Sequence, residues 1–96
     1  KEFDPTQLQK IWKKETTEII IELKSILGAM NSWVAIELES NFKSFMDQKG
    51  LGFGKVMKPM RFLICGSLQG PSLFDLMELI GKDESLKRIN YAINEF

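Results

Sequence analysis

Apolar residues in this chain recur at intervals of three and four, and nowhere do they alternate with polar ones over the length a strand needs. The clearest run spans Glu15 to Leu27. Ile19, Ile20, Leu23, Ile26 and Leu27 fall on one helical stripe, while Glu15, Glu18, Glu22 and Lys24 lie outside it. That spacing predicts helices, and Gly and Pro punctuate them. Asp4-Pro5 reads as an N-cap and first helical position, followed by Leu8, Ile11 and Trp12. Gly28 is the expected C-cap of the second helix, and Asn31-Ser32 the expected N-cap of a third, lined by Leu38, Phe42, Phe45 and Met46 and stopped at Gly50. After a connector over residues 51–54, an apolar helix is expected from Lys55 to Cys65, with Pro59 either opening it or kinking it. Leu73, Phe74, Leu76, Met77, Leu79 and Ile80 line the next segment, closed by Gly81. A last helix from Asp83 to about Asn94 buries Leu86, Ile89, Tyr91 or Ala92, and Ile93. The fold class expected is all-α, multihelical and single-core, the alternative being a short strand through Ile64-Cys65-Gly66.

Ninety-six residues, 44% of them hydrophobic, suffice for one small core and not for two. Thirteen bases balance thirteen acids, which argues against a general polyanion binder. The charge is nevertheless uneven. Residues 1–42 hold five Lys against seven acids, residues 43–66 hold four Lys and Arg61 against Asp47 alone, and residues 67–96 hold three bases against five acids. The basic excess therefore sits on and before Lys55 to Phe74, KVMKPMRFLICGSLQGPSLF, a stretch whose Pro59, Gly66 and Gly70 are awkward for plain folding. A phosphate-facing patch and a solvated lysine-rich face both fit that distribution.

Several chemistries are excluded. With no histidine, the chain lacks the usual general base and the commonest zinc ligand, and one cysteine cannot complete a zinc finger. Glu37/Glu39 and Asp83/Glu84 are spaced so that neither pair faces a common site on a helix. Neither glycine cluster matches a phosphate-binding loop or a dinucleotide fingerprint. Cys65, within FLIC, reads as a packing residue, and its solitude makes a reducing, cytoplasmic setting the default. No run approaches the length of a membrane span.

What remains is recognition. Pro59-Met60-Arg61, Gly66, Pro71-Ser72-Leu73-Phe74 and Ile80-Gly81-Lys82-Asp83, followed by Leu86 and Arg88, resemble the C-terminal anticodon-binding domain of bacterial and organellar glutamyl-tRNA synthetases, class I aminoacyl-tRNA synthetases. The tryptophan before that family's third helix resembles Trp33. From there the pattern lays on without a gap, and the residues before it match loosely. Cys65 stands where the family usually has threonine, Val34 stands where a threonine commonly caps the helix, and Gly70 occupies a variable position.

The resemblance implies that residues 1–96 are an anticodon-binding portion of a longer synthetase, with residues 1–31 assignable to the tail of a preceding helical subdomain. It implies a non-catalytic role here, because a chain without histidine cannot contain the family's His-x-Gly-His signature, and KVMK is not its Lys-Met-Ser-Lys loop. ATP and Mg²⁺ are implied for the parent enzyme, a glutamate–tRNA ligase expected to be monomeric, and none for this stretch. The implied partner is the anticodon loop of glutamate tRNA. Lys55 and Lys58 would hold phosphates and Arg61 a base or its phosphate. Ser67, Gln69 and Gly70 would bring main chain close to RNA, and Pro71 and Leu73 would offer apolar surface to a base. The competing expectation is a helical protein-interaction module that does not bind RNA.

Overall fold

The protein, as a computed structural model, is described for residues 3–66, 70 and 72–96. Its elements run α1 (Pro5–Ile11), α2 (Lys14–Gly28), α3 (Ala35–Lys49), α4 (Phe53–Cys65) and α5 (Leu73–Glu95), with no strand among the described residues. The all-α expectation holds, and Ile64 and Cys65 close a helix where a short strand was the alternative.

The local rules account for most boundaries. The Asp4 carboxylate accepts a hydrogen bond from Thr6 N at 2.9 Å, and Pro5 occupies the first turn, where its missing N–H costs nothing. Helix α3 stops at Gly50 and α4 at Gly66, both in the left-handed region with φ 65° and 77°. A glycine at each spares the Cβ strain that other residues would meet.

Two expected caps are corrected. Helix α2 ends at Gly28 as expected, but the C-cap is Ala29 in the right-handed region, so Gly28 is the last helical residue and not a left-handed cap. Asn31-Ser32 do not cap α3, which begins later, with Val34 at the N-cap. A valine side chain cannot accept from the first-turn amides. The missing acceptor comes from α5 instead, where Glu78 Oε1 takes the Ala35 N–H at 2.7 Å. A carboxylate at a helix N-terminus both pairs an orphan donor and opposes the helix dipole. Replacing Glu78 by alanine is therefore expected to cost about 1 kcal/mol, read as a fall in urea midpoint at unchanged slope.

Helix α4 begins at Phe53, two residues before the expected start, so Pro59 lies in the helix interior and is buried. Lacking an N–H, it leaves the Lys55 carbonyl without its ordinary partner one turn on. Helix α5 is two arms meeting at Gly81, whose φ of 89° and ψ of 166° are open essentially to glycine alone. The expectation that Gly81 closes one segment is thus met.

Helix α5 packs on α2, α3 and α4, and α2 also packs on α3 and α4. The core draws Ile20, Leu23 and Leu27 from α2, Leu38 and Phe42 from α3, Val56, Met60 and Leu63 from α4, and Leu73, Met77, Ile89 and Ala92 from α5. Of the two candidates near the C-terminus, Ala92 is buried and Tyr91 is half exposed. Phe3, Phe62 and Phe96 meet in tilted and edge-on pairs at ring distances of 4.8 to 6.2 Å, and Trp12 meets Phe96 edge-on at 5.0 Å, joining the two ends of the chain. Two polar ties fasten the connector between α2 and α3 to α5. The Trp33 indole donates to the Met77 carbonyl at 2.8 Å, and Lys82 Nζ donates to the Met30 carbonyl at 2.7 Å. No helix among the described residues is long and apolar enough to cross a membrane.

Candidate nucleic-acid interface

Helix α4 carries the charged residues in question, and its geometry follows from its sequence. Val56, Met60, Leu63 and Ile64 turn one side into the core. Phe53, Met57 and Arg61, four residues apart, share another side. These three with Gly54 and Lys58 line a shallow pocket of about 250 Å³. Phe53 is 68% exposed at its edge, an unusual place for a large aromatic ring. Arg61 is half-buried and lines this pocket.

Lys55 and Lys58 are exposed. Lys55 Nζ lies 3.2 Å from Glu15 Oε2, with both side chains 61% exposed. A solvated pair of that kind contributes little, so the ammonium is readily exchanged to another anion. The rest of the basic excess is dispersed by the fold. Lys43 pairs with Glu39 at 3.7 Å along α3, and Lys49 pairs with Glu22 of α2 at 2.6 Å. Acids that lie in a separate stretch of the linear sequence are thus brought against the lysines of α3 and α4.

Beyond α4, Gly66 N donates to the Phe62 carbonyl at 2.7 Å, and the chain leaves the helix through a left-handed turn. That exit is held from α5. Arg88 Nη1 donates to the Ile64 carbonyl at 2.6 Å, and its Nε donates to Glu84 Oε2 at 2.8 Å. Arg88, one of the motif residues, therefore braces the last turn of α4 against the longest helix. Gly70 is exposed with φ 135°. A Cβ there would meet nothing within 4 Å, so the backbone angle and not crowding asks for glycine. Ser67, Gln69 and Pro71 lie outside the described residues.

Leu73, expected to offer apolar surface to a base, is 1% exposed and belongs to the core. It opens α5 with its side chain in the core, and the neighbouring Phe74 packs edge-on against Phe42 at 4.9 Å. Cys65 is half-buried with a free thiol.

Two lysines that the linear sequence offered no reason to single out, Lys10 and Lys13, meet Lys55 and Lys58 around a neighbouring groove. They sit in a stretch with an acidic balance, and only the packing of α2 against α4 brings them there. Among the described residues no group of three His, Cys, Asp or Glu could hold a metal ion.

The family described as "Anticodon binding domain" matches residues 1–93. The chain is 41% identical over 92 residues to a glutamate–tRNA ligase of Christiangramia forsetii, covering 96% of this chain and 18% of that protein. It is 40% identical over 84 residues to the glutamate–tRNA ligase of Flavobacterium psychrophilum, covering 88% of this chain and 17% of that one. A crystal structure of a glutamate tRNA ligase from Elizabethkingia meningosepticum, in complex with its amino acid, superposes with a TM-score of 0.92 at 38% identity, covering 99% of this chain and 19% of that chain. The chain thus spans under a fifth of the length of these relatives. With the family matched over nearly every residue and the fold matched over nearly the whole chain, the chain belongs to the anticodon binding domain family, in the form carried by glutamate–tRNA ligases.

Proposed function

We propose that this chain selects glutamate tRNA for a glutamate–tRNA ligase by receiving the unpaired anticodon bases against α4 and the residues that follow it. The observation that carries this reading is the Phe53, Met57 and Arg61 pocket, which sits on the helix leading into the left-handed Gly66 exit. An anticodon presents splayed bases with free Watson–Crick edges, and a guanidinium fork beside an aromatic ring suits such a base. Arg61 supplies the fork, Lys55 and Lys58 supply point charges for the adjoining phosphates, and Ser67, Gln69, Gly70 and Pro71 supply main chain and a ring face to the loop.

The parent protein would ligate glutamate to tRNA with ATP and Mg²⁺ in the cytoplasm as a monomer, and the residues holding ATP and metal would lie elsewhere in it. This chain's contribution is selection without catalysis. The packing of α2 into the core, through Ile20, Leu23 and Leu27, supports taking the whole chain as one anticodon-binding unit and not giving residues 1–31 to a preceding subdomain.

Titration of the gene-encoded protein with a glutamate tRNA transcript tests the reading. Affinity should fall steeply with added salt, and a transcript with an exchanged anticodon should bind more weakly at every salt concentration. Equal binding of the two transcripts would overturn it, as would salt-insensitive capture of a protein partner with no RNA bound.

A further inference from the structure

The groove beside the Arg61 pocket is lined by four lysines against one carboxylate. Lys10 comes from the last turn of α1, Lys13 from the junction with α2, and Lys55 and Lys58 from the start of α4, with Glu15 as the sole acid among the lining residues. Its volume is about 560 Å³, and a Cβ placed at Gly52, one of its lining residues, would meet nothing within 4 Å. On a chain of zero net charge, a net of three positive charges around one groove is a local concentration. Ile11, Ile19 and Pro59 form apolar walls, which thin the water between the ammonium groups and whatever anion enters.

The fold makes little use of these charges. Lys55 has its solvated pair with Glu15, and Lys13 Nζ donates at 3.2 Å to the Gln9 carbonyl in an exposed contact. Gathering like charges without matching acids opposes folding, so a ligand is the better account of their arrangement. That ligand has the chemistry of a nucleic-acid backbone. Ammonium groups on long stems suit phosphates more than base edges, and no aromatic ring is among the described residues that line the groove, so none is there to stack a base. Gly54 and Lys58 line both this groove and the Arg61 pocket, so the two adjoin.

We infer that this groove is a sequence-independent tRNA site, in which Lys10 and Lys13 join Lys55 and Lys58 in holding the sugar–phosphate backbone flanking the bases at Arg61. The inference rests on the reading that RNA lies on this side of α4, and it adds to it two residues from the first helices.

The test compares the gene-encoded protein with its Lys10→Ala/Lys13→Ala variant, using a glutamate tRNA transcript and the same transcript with an exchanged anticodon across a salt series. Both side chains are exposed, so the variant should keep its unfolding midpoint, and Lys10→Arg/Lys13→Arg should bind as the unaltered protein does. The alanine variant should bind both transcripts more weakly by the same factor. Its plot of log affinity against log salt should be shallower by about 1–2, one unit for each phosphate that is no longer neutralised. Unchanged affinity and slope would overturn the inference, and so would a weakening confined to the cognate anticodon. Arg61→Ala run alongside separates the two claims. Loss of anticodon preference there with no effect of the lysine pair removes the groove and keeps the reading. The reverse pattern removes the Arg61 assignment and keeps the groove.

Discussion

Leu73→Ala is expected to lower the free energy of unfolding by about 2–5 kcal/mol, the usual cost of truncating a fully buried leucine and leaving a cavity. The side chain is 1% exposed and lies in one cluster with Phe42, Met60, Leu63 and Met77, so a cavity there loosens helices from three parts of the chain together. Urea unfolding followed by circular dichroism measures it, and a shift of less than about 1 kcal/mol would contradict the burial. The paired variant Leu73→Met, which nearly conserves volume, should cost under about 1.5 kcal/mol. It should also leave tRNA affinity unchanged, since the side chain it replaces does not reach the surface. Were Leu73→Met to fold normally and lose tRNA binding, the residue would have to be returned to the RNA interface.

On the reading proposed above, Arg61→Ala placed in the full-length ligase is expected to reduce charging of glutamate tRNA by about 1–3 kcal/mol in kcat/KM, roughly five- to 150-fold. The side chain lines a pocket that opens to solvent and contributes no apolar group to the core, so its removal spares the packing of Val56, Met60 and Leu63 on the core side of α4. What goes is a fixed, permanently charged fork. Arg61→Lys restores the charge without the fork, so it should recover part of the affinity and little of the preference for the cognate anticodon. If Arg61→Lys matched the unaltered enzyme in both, the contact would be to phosphate and the base-reading role would fall.

Much of the architecture was legible because it is written locally. The stripe of Ile20, Leu23 and Leu27 announces α2, and Gly50 and Gly66 mark two helix ends by the one backbone conformation that side chains resist. What was not legible depends on distant partners. The start of α3 is set by Glu78, forty-three residues further on, and no reading of residues 29–35 alone could supply that acceptor. Gly28 shows the converse, a glycine that ends its helix without taking the left-handed conformation, the C-cap falling on the right-handed Ala29. The motif residues also separate into two kinds. Trp33, Lys82 and Arg88 tie connectors and helix ends together through carbonyls at Met77, Met30 and Ile64, and Leu73 fills the core, so these belong to the framework. Arg61 lines a surface pocket and Gly70 is exposed. A linear pattern mixes the two because both are needed for one site. Lys10 and Lys13 were illegible for a different reason: acids outnumber bases in their stretch of sequence, yet of those acids only Glu15 lines the groove that the fold builds.

Whether unpaired bases lie against the exposed side of α4 decides the functional reading. A photoreactive benzophenone side chain placed at Phe53, which is 68% exposed on the rim of the Arg61 pocket, tests this directly in the gene-encoded protein saturated with glutamate tRNA. Crosslinks confined to the nucleotides of the anticodon loop are the expected result. Crosslinks mapping to the acceptor end, or none at all with the tRNA bound, would contradict it.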